Sequence, residues 1–214
     1  NTVTTRANFF NASRWRRTSQ FVDDKIYIPQ DGGTALEIID TTNNTVTTLP
    51  NFFNASRDRF TSQLVGTKIY IPSGTALEII DTTTNTVTTL TNFFNANRQR
   101  YTSHLVGTKI YIPQDNGTAL EIIDTTNNTV TTITNFFNAS RYRDTSQLVG
   151  MKIYVPQNYG TGLEIIDTTN NTVTTLTNFF NANRQRRTSQ LVGTKIYIPQ
   201  SNGTGLEIIH LTAN

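Results

Sequence analysis

The run Asn-Thr-Val-Thr-Thr begins at Asn1, Asn44, Asn85, Asn128 and Asn171, so the chain restarts itself after 43, 41, 43 and 43 residues. Nothing else in the sequence constrains the fold as much. A repeat of this length is one supersecondary unit that cannot bury its own apolar surface and must stack on its neighbours. The 214 residues therefore divide into repeats 1–43, 44–84, 85–127, 128–170 and 171–213. A single-core enzyme domain and a pair of unrelated domains are both excluded. The fifth repeat matches the third at 36 of its 43 positions, and the second is shortened at Ser73-Gly74, where the others carry a longer turn. Similarity this close means recent amplification or design. The chain opens inside a repeat, as a processed fragment or an expressed excerpt does.

Within the third repeat the pattern predicts strands over 85–90, 100–106, 109–113 and 118–124. Thr, Val, Ile and Tyr dominate these segments, as a pleated, half-buried surface requires. Val106-Gly107-Thr108 reads as a tight hairpin, Asp115-Asn116-Gly117 as a longer turn, and Asp124–Asn128 as a turn whose Asx and Thr side chains bond its own backbone. Ile110 and Ile112 point to one face and Tyr111 to the other, so both faces of the sheet are apolar. That suits a sheet sandwiched between two others. The expectation is an all-β, five-bladed β-propeller of four antiparallel strands per blade, a single domain over 1–214. Asn1–Thr5 is expected to complete the last blade, closing a monomeric ring and removing open edges. The Phe pairs Phe9-Phe10, Phe52-Phe53, Phe93-Phe94, Phe136-Phe137 and Phe179-Phe180 are expected to seal the joints between blades.

The stretch KIYIPQDNGTALEIIDTTNNTVTT resembles the YVTN-type propeller repeat, and the preceding Arg-containing segment with Leu-Val-Gly-Thr-Lys-Ile-Tyr is similar to a Kelch repeat. The resemblance recurs once per repeat. It departs from Kelch at the double glycine after the Tyr strand, replaced by Pro113-Gln114, and lacks the Trp of the last Kelch strand. It implies a binding scaffold with varied partners. The five-bladed architecture also resembles tachylectin-type lectins, without their motifs.

The distinctive polar feature is Arg-x-Arg, at Arg14/Arg16, Arg57/Arg59, Arg98/Arg100, Arg141/Arg143 and Arg184/Arg186. Two residues apart on a strand, both guanidiniums share a face, and their forks match carboxylate, sulfate and phosphate. These ten arginines are the candidate ligand-binding residues. The competing reading pairs one of each with the strand glutamates Glu37, Glu78, Glu121, Glu164 and Glu207. The lysines Lys25, Lys68, Lys109, Lys152 and Lys195 read as solvated strand starts. Asp40, Asp81, Asp124 and Asp167 read as turn builders, with His210 in the fifth place.

Catalysis is not expected: nearly every polar residue recurs fivefold, and no local pair of close, unlike acids stands out. His104 replaces the Gln20, Gln63, Gln147 and Gln190 of other repeats. With no cysteine and only two histidines, no metal or other cofactor is expected. A net charge of +3 with interspersed acids argues against nucleic acid, and no apolar run is long enough for a membrane helix. Sequons at Asn11, Asn43, Asn54, Asn116, Asn127, Asn138, Asn170 and Asn202 arise easily in an Asn/Thr-rich repeat and matter only if the chain is secreted from a eukaryote; an extracellular or cell-surface setting is the expected one. The leading expectation is a non-catalytic, multivalent binding module for carbohydrate or acidic ligands, its weak sites reinforced by avidity. The alternatives are a structural or engineered symmetric scaffold without a ligand, or a Kelch-like protein-interaction platform using the variable residues Trp15, Asp58, Gln99, Tyr142 and Gln185.

Overall fold

A computed structural model describes residues 1–211. Each repeat gives a meander of antiparallel strands. The first sheet runs β1 (Gln20–Val22), β2 (Lys25–Pro29), β3 (Leu36–Asp40), β4 (Thr45–Leu49), and the second β5 (Gln63–Val65), β6 (Lys68–Ser73), β7 (Ala76–Asp81), β8 (Thr86–Leu90). The third is β9 (His104–Val106), β10 (Lys109–Pro113), β11 (Leu120–Asp124), β12 (Thr129–Ile133), and the fourth β13 (Gln147–Val149), β14 (Lys152–Pro156), β15 (Leu163–Asp167), β16 (Thr172–Leu176). The fifth has β17 (Gln190–Val192), β18 (Lys195–Pro199) and β19 (Leu206–His210). The chain divides into two compact units, Asn1–Asn97 with the first two sheets and Arg98–Asn214 with the other three. It is an all-β chain of five blades, four of them four-stranded. No helix of the described residues is long and apolar enough to cross a membrane.

The turns follow their side-chain chemistry. Gly107 takes φ 59° between β9 and β10, and Asp23 takes the same left-handed conformation in the first repeat at φ 51°. Between β11 and β12, Asp124 Oδ1 accepts the Thr126 N–H at 3.0 Å, Asn127 Oδ1 accepts the Thr129 N–H at 3.2 Å, and Asn128 sits at φ 54°. The Thr126 hydroxyl and N–H hold the Asp124 carboxyl below its usual range. Asp40, Asp81 and Asp167 are bonded in the same way by Thr42, Thr83 and Thr169. The predicted strand over 100–106 shortens to His104–Val106, because the Arg100–Ser103 stretch leaves the ladder and bonds through its side chains.

Alternation gives every sheet two unlike faces. In the first unit, Tyr27, Leu36 and Ile38 of the first sheet pack on Phe53, Ile69, Ile71 and Ile80, which belong to the second sheet and the segment leading into it. In the second unit, Tyr111, Leu120 and Ile122 meet Phe137, Ile153, Val155 and Ile166 in the same way. Leu163, Tyr154 and Ile165 then meet Phe180, Ile196, Ile198 and Ile209. Each fully buried Ile at such a joint contributes about 1.5–3 kcal/mol. The Tyr hydroxyl ends the joint with a bond to the next sheet: Tyr27 donates to Thr82 O at 3.2 Å and Tyr111 to Thr168 O at 3.1 Å.

One expectation is corrected. Asn1–Thr5 forms no strand and is exposed, and the fifth sheet has three strands among the described residues. A strand segment without a ladder partner bonds water as well as it would bond protein, so nothing holds Asn1–Thr5 extended.

Candidate binding site

The Arg-x-Arg segments lie just before the first strand of each sheet, and their two arginines have opposite fates. Arg59, the inner member of its pair, is 0% exposed. Its Nε donates to Glu78 Oε2 at 2.6 Å and its Nη2 to Glu78 Oε1 at 2.8 Å, a bidentate fork. Nη1 donates to Gln30 O at 2.8 Å and Gly33 O at 2.7 Å, both on the β2–β3 turn of the preceding sheet, and Nη2 also reaches Ala55 O at 3.1 Å. The guanidinium lies 3.8 Å over the Phe53 ring, which Phe52 meets edge-on at 5.1 Å. All five N–H groups are taken. Arg143 repeats the arrangement with Glu164, Gln114 O, Gly117 O and Phe137, and Arg186 with Glu207, Gln157 O, Gly160 O and Phe180. Arg100 forks onto Glu121. Phe53, Phe137 and Phe180 thus help to seal their joints by stacking under a guanidinium as well as by apolar packing, whereas Phe10 stacks under Arg16 without a joint in front of it among the described residues.

Arg16, Arg59, Arg100, Arg143 and Arg186 are the inner five of the ten candidate ligand-binding arginines. Burial and pairing commit Arg59, Arg143 and Arg186 to the fold with every guanidinium N–H taken, Arg100 is buried on its Glu121 fork, and Arg16 stays partly exposed. The outer members differ. Arg14 is half-buried against Asn11 and Gln30, and Arg57 donates to Asn54 Oδ1 at 2.8 Å and to Glu78 Oε1 at 3.0 Å. Arg98, Arg141 and Arg184 are exposed, Arg98 donating to Asn116 O at 3.0 Å.

The variable residue between the arginines is at the surface. Trp15 is 69% exposed and Tyr142 47%; Asp58 and Gln99 are exposed and Gln185 half-buried. Two aromatic platforms result. In the first unit, the Arg17 guanidinium sits 5.3 Å from the Trp15 ring and 5.0 Å from Phe60, and its Nε donates to the buried Asp31 at 2.7 Å. Asp31 also accepts the Arg59 N–H at 2.8 Å. In the second unit, Tyr142 and the 44%-exposed Tyr159 meet edge-on at 6.0 Å, and Gln185 Nε2 donates to the Tyr159 hydroxyl. Tyr159 takes φ 55°, a conformation that bulky side chains avoid, where the equivalent residues are Gly32 and Asn116.

Beneath the second platform Asn158 Nδ2 donates to Asp144 Oδ2 at 2.8 Å, while Asn158 Oδ1 accepts the Arg186 N–H at 2.9 Å. Burial, with the nearby Asp115 charge, pushes the Asp144 carboxyl up to about 6; Arg187 and Asn158 pull the other way. Asp115 is itself raised by burial and accepts the Arg143 N–H at 2.8 Å. The sequence shows no close pair of acids; the fold brings these two, 29 positions apart, within electrostatic reach. The signal in the sequence is Asp144 standing where other repeats have Arg17, Phe60, Tyr101 or Arg187. His104 sits at the Gln position and bonds Ser146 Oγ at 2.7 Å, as Gln147 bonds Ser189. Burial lowers the ring to about 4. Among the described residues no three His, Asp or Glu side chains gather as a metal site would require.

No protein-family model matches the sequence, and no curated protein matches it. Solved structures do match, and they are propellers. BamB from Moraxella catarrhalis aligns at a TM-score of 0.64 and 13% identity, covering 91% of this chain and 56% of that one. The Pan2 WD40 domain of Neurospora crassa aligns at 0.65 and 11%, covering 92% and 61%. The extracellular domain of BT4673 from B. thetaiotaomicron aligns at 0.67 and 13%, covering 93% and 28%. The chain thus spans less than two thirds of the length of each. At such identity the likeness carries the fold, a β-propeller, and nothing finer.

Proposed function

We propose that the chain is a non-catalytic binding scaffold that takes carbohydrate on the aromatic platforms of its Arg-x-Arg segments. The supporting observation is the Tyr142–Tyr159 pair. Two rings are held at the surface, one of them in an unfavourable backbone conformation, with an amide and two hydroxyls at their edges. Tyrosine brings wide, stiff contact area at low entropic cost, and a sugar presents an apolar C–H face with hydroxyls around it. The exposed Arg141 and Arg184 flank this platform, so a carboxylate or sulfate on the sugar finds a guanidinium there. Repetition of the scaffold, with Trp15 on the equivalent segment, allows weak sites to act together. The YVTN-like and Kelch-like character of the repeat fits the same proposal, because what those repeats share is a fixed frame with variable contact residues.

The test is a glycan array of neutral and acidic sugars followed by calorimetry on the hits. Tyr142→Ala is expected to weaken binding about tenfold or more, the size of about 1.4 kcal/mol. Binding that ignores Tyr142→Ala and Trp15→Ala, or an array with no hits, rejects the carbohydrate reading. A protein partner that needs Trp15 and Tyr142 would put an interaction platform in its place.

A further inference from the structure

The two ends of the repeat array each leave one sheet face open, and the open faces are unlike. On the fifth sheet it is the Tyr/Leu/Ile face: Leu206 is 55% and Ile208 42% exposed, whereas their equivalents in the fourth sheet are Leu163, buried at 1%, and the half-buried Ile165, packed beside Phe180 and Ile196. A cavity of about 480 Å³ lies against Leu206, Glu207 and Ile208. On the first sheet it is the other face. Phe10, Ile26 and Ile39 are half-exposed, while Phe53, Ile69 and Ile80 at the same places are buried at 2% or less. A cavity of about 850 Å³ opens beside Phe9, Phe10, Arg16 and Ile39. Arg16 forks onto Glu37 as the other inner arginines do onto their glutamates, yet its side chain is 22% exposed and among the described residues it bonds no carbonyl from another sheet.

We propose that the open face of the fifth sheet docks on the open face of the first sheet of a second copy of this chain, head to tail. What argues for this occupant is the chain's own interior. The joint between the first and second sheets, and the two joints of the second unit, are built from these same two faces. Each joint carries the same polar contacts: the inner arginine bonds two carbonyls of the preceding turn, and the second Phe N–H bonds a Thr carbonyl of that turn. The fifth sheet offers those acceptors as Gln200 O, Gly203 O and Thr204 O. The first sheet offers the donors as Arg16 Nη1 and the Phe10 N–H. A partner of unrelated sequence would have to reproduce an apolar patch and three carbonyl–donor matches; a second copy brings them. The contact is heterologous, so it propagates or closes according to the rotation it imposes.

Sedimentation velocity of the full chain over a wide concentration range tests this. The chain is expected to associate by mass action. Leu206→Glu with Ile208→Glu, both at exposed positions, blocks one face and is expected to give a monomer that melts as the parent does. Ile39→Lys blocks the other face. Each blocked variant alone is expected to stay monomeric, while an equimolar mixture forms a one-to-one dimer and nothing larger, because each supplies one intact face. If Ile39→Lys melts early, the first variant mixed with parent still decides: it is expected to cap the parent assemblies and shrink them. A parent that stays monomeric throughout, or association that survives Leu206→Glu with Ile208→Glu, overturns the proposal.

Discussion

Arg16 and Arg59 occupy the same place in consecutive repeats, fork onto equivalent glutamates and stack on equivalent phenylalanines, at 3.7 and 3.8 Å. Only Arg59 has a sheet in front of it. That sheet adds the Gln30 and Gly33 carbonyls, removes water, and turns an ion pair at 22% exposure into one at 0%. The comparison separates what the motif does by itself from what stacking makes of it. By itself, Arg-x-Arg with its Glu and Phe folds one segment back on its own sheet. Stacked, the same guanidinium becomes the bolt between two sheets. A buried pair is not by itself strongly stabilising, but losing one partner leaves a charge with neither water nor counter-ion.

The largest effect should therefore come from breaking the pair where it is buried. Arg143→Ala is expected to destabilise the chain by about 3–5 kcal/mol, measured by denaturant melts, because Glu164 is left charged and buried. Arg16→Ala is expected to lose about 1–2 kcal/mol: water reaches the site, and Arg14 stands 3.9 Å from Glu37. Equal losses in the two variants would mean that the preceding sheet adds nothing to the pair.

Much of this is legible without coordinates. Alternation in KIYIP and LEIID declares both sheet faces, and Gly107 and Asp124 declare their turns. The pairing of an arginine with the strand glutamate follows from both recurring once per repeat. Which arginine pairs is not legible, since Arg141 and Arg143 share one face of an extended segment; the inner one forks even at Arg16, which no carbonyl from another sheet reaches among the described residues, so the choice is made within the repeat, where the guanidinium lies over the second Phe of the pair. The exposed half of the candidate site suffers the same limit. Tyr142 and Tyr159 look like scattered substitutions until the Asn158–Tyr142 backbone bond brings their segments together. Asn1–Thr5 misleads for the opposite reason: its pattern is that of β4, β8, β12 and β16, but those strands each have a ladder partner and Asn1–Thr5 has none among the described residues.

A second comparison holds the environment fixed and changes the residue. His104 and Gln20 both reach a Ser on the next sheet, at 2.7 and 3.0 Å. The unfolded imidazole takes a proton near pH 6.5 and the folded one only near 4, so between those values the unfolded chain holds more protons. Stability is therefore intact above about pH 6.5 and falls as pH drops through that window. His104→Gln is expected to recover about 1–2 kcal/mol near pH 5 and little at pH 8. Asp144 works in the opposite sense, since its raised carboxyl costs stability as pH rises toward 6; comparing the variant with the parent at each pH cancels that contribution. A gain that is the same at both pH values would show that packing, not protonation, separates His from Gln.

The smallest effect holds the backbone fixed. Asn116 and Tyr159 sit at equivalent turn positions with φ 47° and 55°. Left-handed backbone disfavours ordinary side chains by about 1–2 kcal/mol, and asparagine tolerates it better because its short amide bonds locally. Against that gain, Tyr159→Asn gives up the edge-on contact with Tyr142, worth about 0.5 kcal/mol for a pair this exposed. The balance is a stabilisation of about 0.5 kcal/mol, visible as a small rise in melting temperature, together with weaker ligand binding at the second platform. A rise in melting temperature together with weaker binding would mark Tyr159 as a ring whose backbone strain serves contact rather than the fold. If Tyr159→Asn lowers the melting temperature, the two rings hold the turn for the fold's sake and the platform loses its main argument.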